Sequence, residues 1–211
     1  MDYKTKPISR ADIRVLANAV RSVFKCRNKY YFDVVKAFDM MHTYFPEVMT
    51  LVVEENELPP EIPACCEPED SNCYIIKVKE PVYEGAVNGI GGYRAHILHE
   101  MSHAILCLIG FTPVEETPYK NFELNPFESM EWQAKALCGE ILVPYEATKG
   151  LPVRDIMRRC KVSYDCATLR FNEFKKKKES GFEILDEAAF LNLKNSLNSS
   201  LNETTNQISA L

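Results

Sequence analysis

An α+β fold, mostly helical with one small β-sheet, is what this sequence predicts, and three observations carry the prediction. Apolar residues recur at three- and four-residue steps in several separate segments, the mark of amphipathic helices. Two short β-branched runs, at 48–54 and 74–78, are set off by prolines. A composition of 46% apolar and 26% charged residues over 211 positions suits one soluble globular domain with a real core.

The elements follow in order. Residues 9–24 place Ile13, Leu16, Ala17, Val20 and Phe24 on one helical face. Residues 33–44 repeat the pattern with Val34, Val35, Ala37, Phe38 and Met41, and Pro46 marks the exit. A strand over 48–54 comes next, after which Pro59, Pro60 and Pro63 break regular structure and leave Cys65, Cys66 and Cys73 in a loop. Residues 74–78 read as a second strand, with a looser extended stretch near Val82 and Tyr83. Gly85, Gly89, Gly91 and Gly92 suggest a turn before a helix over 93–108 that stops near Gly110. A loop with Pro113, Pro118 and Pro126 leads to a helix over 127–142, ended by Pro144. Two shorter helices span 153–160 and 163–175, with Ser163 as N-cap. Residues 1–178 thus read as one domain. Residues 179–211 read as a polar, flexible C-terminal tail, rich in Asn, Ser and Thr over 192–209.

Charge and composition narrow the function. A net charge of −5 gives no overall basic field for nucleic acid, so no direct nucleic-acid partner is expected. The helices at 153–160 and 163–175 have the outline of a helix-turn-helix ending in lysines at 175–178. A packing pair with a solvated lysine end is the plainer reading. No apolar run is long enough to span a bilayer, and the N-terminus lacks the apolar segment and cleavage site of a secretion signal. The expectation is a cytoplasmic protein whose eight cysteines are mostly free thiols. There is no CxxC pair, and adjacent Cys65 and Cys66 are poorly placed to share one tetrahedral ion.

Three of the four histidines fall within eight residues: His96, His99 and His103. His99-Glu100-Met101-Ser102-His103 fits the pattern HExxH. On a helix, residues four apart are rotated by only about 40° and stand one turn above each other. His99 and His103 can therefore hold one metal ion, and Glu100 projects beside them within reach of a water at that ion. A catalytic zinc needs a third protein ligand. His42 is distant, in a helix assigned to the core, and His96 would crowd the same face. Glu128 and Glu131, on the next long helix, both qualify by spacing.

These residues resemble the ImmA/IrrE family of zinc metallopeptidases. Arg94, four residues, then HExxH matches the family's first motif. The second resembles Glu-x-x-Ala-Asn-x-Phe-Ala-x-x-Leu-Leu-Met-Pro, matched here without a gap from Glu131 through Ala134, Lys135 and Leu142 to Pro144. Three departures stand out: Lys135 replaces asparagine, Ser102 replaces a frequent glycine, and His96 replaces a small polar residue.

The resemblance implies a zincin-like fold with one Zn²⁺ per chain, held by His99, His103 and Glu131, with Glu100 as general base. Arg94, His96, Tyr93 and Tyr119 are the candidates to support the site or to stabilise an oxyanion. The strand at 74–78 is the expected place for a substrate segment to pair. The implied activity is limited proteolysis of a protein partner, a transcriptional repressor of a mobile element or stress operon. The alternative is a zinc-stabilised protein that engages such a partner without cutting it.

Overall fold

The computed structural model describes residues 2–69, 73–114, 118–119 and 124–175; the expected tail lies outside them. Helix α1 (Arg10–Val23) starts where Ser9 accepts the Asp12 N–H at 3.1 Å, and it buries Ile13, Leu16, Ala17 and Val20. The segment expected as one helix over 33–44 is two. Asp33 caps α2 (Val34–Asp39), and the chain bends at Met40 (φ −97°, ψ 3°) into α3 (Met41–Tyr44). No glycine or proline marks that bend, so the apolar period runs through it unbroken.

The sheet has three strands, β1 (Val48–Val53), β2 (Ala64–Pro68) and β3 (Tyr74–Lys79), in the order β1-β3-β2. β1 runs parallel to β3, and β2 antiparallel to it. Cys65 and Cys66 therefore lie on a strand, not in a loop. Ala-Cys-Cys-Glu-Pro has no β-branched residue, so this strand is made by pairing with β3 rather than by its own propensity.

Val82 and Tyr83, expected as extended, belong to α4 (Glu80–Val87), where Pro81 sits harmlessly in the first turn. Gly85 is inside this helix rather than in a turn. A Cβ there would lie 2.1 Å from the Tyr93 ring, so the glycine serves close packing. The turn itself is at Gly89 (φ +80°).

Helix α5 (Gly91–Leu108) is the centre of the molecule, covered by α2, α4, the sheet and α6 (Met130–Leu142). Its apolar residues consequently point nearly all round, including Ile97, Leu98, Met101, Ile105 and Leu106. Gly110 (φ +88°) ends it. The following helix starts later than expected. Pro126–Glu128 form a 3₁₀ turn, and Ser129 caps α6 by accepting the Trp132 N–H at 2.9 Å.

Pro144 ends α6 and opens a further short helix, α7 (Tyr145–Thr148). α8 (Val153–Cys160) and α9 (Tyr164–Lys175) close the fold, with Ser163 accepting the Cys166 N–H at 3.2 Å. They are a packing pair. Arg170 of α9 is buried between Glu140 of α6 (2.8 Å) and Glu173 (2.7 Å), while Arg14 of α1 reaches Glu140 at 3.3 Å. The exposed side of α9 carries Tyr164, Asp165, Leu169, Asn172 and Lys175, its arginine points inward, and the lysines at 176–178 lie outside the described residues. No described helix is long and apolar enough to cross a membrane.

Two stability predictions follow from this packing. Glu140→Gln strips the charge that two arginines share in the interior, and should lower the unfolding free energy by about 3 kcal/mol, read from the urea midpoint. At the start of α5, a Cβ on Gly91 would meet the Ser163 backbone nitrogen at 2.6 Å, whereas one on Gly92 meets nothing within 4 Å. Gly91→Ala should therefore cost about 1–3 kcal/mol and Gly92→Ala essentially nothing. Equal thermal midpoints for the two variants would contradict the packing.

Candidate metal centre

His99 and His103 occupy successive turns of α5, and Glu131 stands in the first turn of α6, which packs against it. The two imidazole Nε2 atoms are 3.2 Å apart. Glu131 places Oε1 at 3.2 Å from His103 Nε2 and Oε2 at 3.5 Å from His99 Nε2. A tetrahedral ion with ligands at about 2.0–2.1 Å requires ligand–ligand edges of about 3.3–3.4 Å. The three separations lie near that value, with the two to Glu131 running to different oxygens, so the donors can converge on one such ion. Two imidazoles and a carboxylate suit a divalent ion of the zinc type. Among the described residues, no other three metal-ligating side chains converge in this way.

Glu131 reaches this position because the start of α6 is fastened from outside the helix. Asp2 accepts the Glu131 N–H at 3.0 Å and the Ser129 hydroxyl. Gln133 is buried and donates to the carbonyls of Lys6 (2.7 Å) and Phe127 (2.8 Å). The N-terminal segment thus fixes the first turn that carries the ligand. Glu128, the other carboxylate that spacing allowed, lies in the 3₁₀ turn with Lys4 Nζ 3.9 Å away and outside the cluster. Hydrogen bonds from His103 and His99 hold the Glu131 carboxyl well below the usual carboxylate range. Lys135, one turn on, sets its ammonium 3.2 Å from Glu131 Oε2.

Glu100 is beside the cluster on α5. Burial pushes its carboxyl upward, opposed by His99 and His103, and Glu131 adds to the rise. The backbone N–H of Cys66 on β2 donates to the carboxylate. Ser102 leaves no unpaired hydroxyl beside the cluster, since its Oγ donates to the Leu98 carbonyl at 2.7 Å.

The remaining sequence candidates divide. His96 is exposed one turn before the cluster, with its imidazole lowered by partial desolvation and by His99. Tyr93 spends its ring against Gly85. Arg94 lies about 140° around the helix from His99. Its buried guanidinium donates to the carbonyls of Phe32 (2.7 Å), Cys160 (3.4 Å) and Lys161, so it bolts the fold and does not face the metal donors. Tyr119 pairs its backbone with Asp2, at 2.7 and 3.1 Å, alongside the entry to α6. His42 is exposed on α3.

The strand at 74–78 is central and paired on both sides, so it has no edge to offer a substrate. β2 is the edge beside Glu100. Asp2 and the Cys66 N–H were not legible in the sequence, because both act through backbone geometry set by long-range pairing.

Scans against protein-family models, curated proteins and solved structures returned no match to this chain.

The purified protein should carry about one divalent metal per chain. His99→Ala and Glu131→Ala should each weaken its retention by more than about 100-fold, beyond the range for residues that merely support ligands. Glu100→Gln should keep the metal. Elemental analysis after dialysis against a weak chelator reads all three. Lys135→Ala removes a cation from the ligand carboxylate and should tighten zinc binding by roughly twofold to fivefold, the scale of an exposed charge pair. A competitive chelator titration showing no tightening would exclude that role for the lysine.

Proposed function

We propose that this chain is a zinc-dependent endopeptidase of zincin-like fold, resembling the ImmA/IrrE family, that performs limited proteolysis in the cytoplasm. Its substrate is a protein partner, a transcriptional repressor of a mobile element or stress operon. The observation that carries the reading is the triangle His99–His103–Glu131 at 3.2–3.5 Å with Glu100 adjacent on the same helix. Zinc bound there would supply a Lewis acid at the scissile carbonyl.

The chain's own residues do the rest. Glu100 takes the proton of the attacking water and returns it to the leaving amine. Its burial favours this work, because a carboxyl raised from its ordinary value is a better base. The Cys66 N–H favours its ionised form and helps to orient it. β2 presents an edge for an extended substrate. Pro63 and Glu69 hydrogen-bond toward Lys79 and Cys73, so the backbone of the intervening even positions, Ala64, Cys66 and Pro68, turns outward. A substrate strand laid there passes beside Glu100.

One observation favours the second reading, a protein that binds its partner without cutting it. Lys135 already engages the carboxylate that a metal needs. Mapping new protein N-termini in cells that express either the parent or Glu100→Gln separates the two. The peptidase reading expects cleavage at a specific site with the parent, reduced by about 10²- to 10⁴-fold in the variant. Retained biological effect with no new N-terminus would establish the binding reading instead.

A further inference from the structure

The face of α5 that Arg94 occupies leads away from the metal donors to a surface of different character. Segments 25–36 and 153–161 hold eight basic residues and two acidic ones, in a chain whose net charge is −5. The fold joins the two segments. Arg159 lies 4.9 Å over the Tyr30 ring, and Lys161 lies 4.9 Å from the Tyr31 ring. Between the end of α1 and α2, this surface opens into a cavity of about 340 Å³. Phe24, Met40 and Tyr44 line its interior, and exposed Lys25, Lys29 and Lys36 stand around it. That volume is at the low end of ligand pockets, which run about 300–1,000 Å³.

The cavity is held in shape by interior charge. Arg21 is fully buried and donates to the carbonyls of Cys26 (3.1 Å), Lys29 and Ile141. Arg94, equally buried, donates to Phe32 at 2.7 Å. Two desolvated guanidiniums thus pin the loop over 24–32, and Lys25 is kept in the left-handed region (φ 55°). Exposed lysines on a pinned loop are pre-organised for a partner.

We propose that this surface docks an acidic segment of a partner protein, with one bulky apolar side chain of that segment seated in the cavity. Arg158 is paired with Asp155 at 3.3 Å, and the other seven cations of the two segments still exceed what a small ligand touches, which favours a polypeptide. An apolar interior surrounded by lysines fits an aromatic or aliphatic anchor flanked by Asp and Glu. Nucleic acid fits less well. Arg159 covers one face of Tyr30, and Arg94 and Lys161 both lie against the Tyr31 ring, which leaves little ring surface for bases to stack on. Asp33, the acid nearest the lysines, is engaged in capping α2, where it accepts the Lys36 N–H at 3.2 Å.

The docking does not depend on the peptidase reading. The test is fluorescence anisotropy of the full chain with a labelled peptide of alternating Glu and Asp around a single Phe. Saturable binding is expected, weakened by salt, reduced at least about tenfold by Lys25→Glu with Lys29→Glu, and reduced several-fold when the probe's Phe is Ala. Both substituted lysines are exposed, and an unchanged thermal midpoint will confirm that the variant folds. Glu100→Gln should bind the probe as the parent does, so failure of catalysis and failure of docking are read separately. No binding, equal binding of the Ala probe, or tighter binding of an oligonucleotide of similar charge would each overturn the proposal.

Discussion

The crossing of α5 and α6 is the constraint on which the rest of the molecule depends. It brings the Glu131 carboxylate to His99 and His103, side chains from two helices, 28 or more residues apart in sequence. A carboxylate and two imidazoles brought together in a half-buried place need a common partner, whether a proton or a metal ion. The remainder of the fold makes that crossing rigid. The sheet and α4 cover α5 from one side, α1 backs α6 from the other, and the N-terminal segment holds the first turn of α6 through Asp2 and Gln133.

Three buried arginines do much of this work by a shared device. The last carbonyls of a helix lack intrahelical partners and carry partial negative charge. Arg21 donates to Ile141 and Arg170 to Val143, both at the end of α6, while Arg94 donates to Cys160 and Lys161 at the end of α8. Each guanidinium comes from another helix, so one bond set terminates a helix and docks two elements. This accounts for an arginine five positions before His99 that never faces the metal donors. In sequence it stands five positions before His99; in space it anchors the closing helices to the helix that carries the histidines.

What could be read from the chain alone follows the same division between local and long-range causes. The histidine pair on α5, the cap at Ser163 and the strands expected at 48–54 and 74–78, found at Val48–Val53 and Tyr74–Lys79, are local patterns, and each stood in the sequence. The Glu131 ligand needed a resemblance, because spacing alone left Glu128 equal to it. β2 was hidden since its residues have no strand preference of their own, and α4 because Pro81 and Gly85 look like breakers until the Tyr93 ring is placed against the glycine. The central place of β3 is a fact of topology. No periodicity distinguishes a strand with two neighbours from one with a free edge.

Lys135 engages the Glu131 carboxylate without displacing it from the two histidines. The Glu131 carboxylate divides its oxygens: Oε1 is nearest His103, and Oε2 faces both His99 and the Lys135 ammonium. A carboxylate that ligates through one oxygen keeps the other for a donor, and a lysine can fill that place as an amide would. The difference is charge. An amide orients the carboxylate without opposing a cation, whereas an ammonium orients it and repels the ion it serves. Because Lys135 is largely exposed, water would screen most of that repulsion, and an ion bound there would be held only modestly less firmly. Occupancy of such a site would depend on how much of the ion surrounds the protein. The same substitution that departs from the motif would thus couple the state of the site to metal supply while leaving the ligands themselves in place.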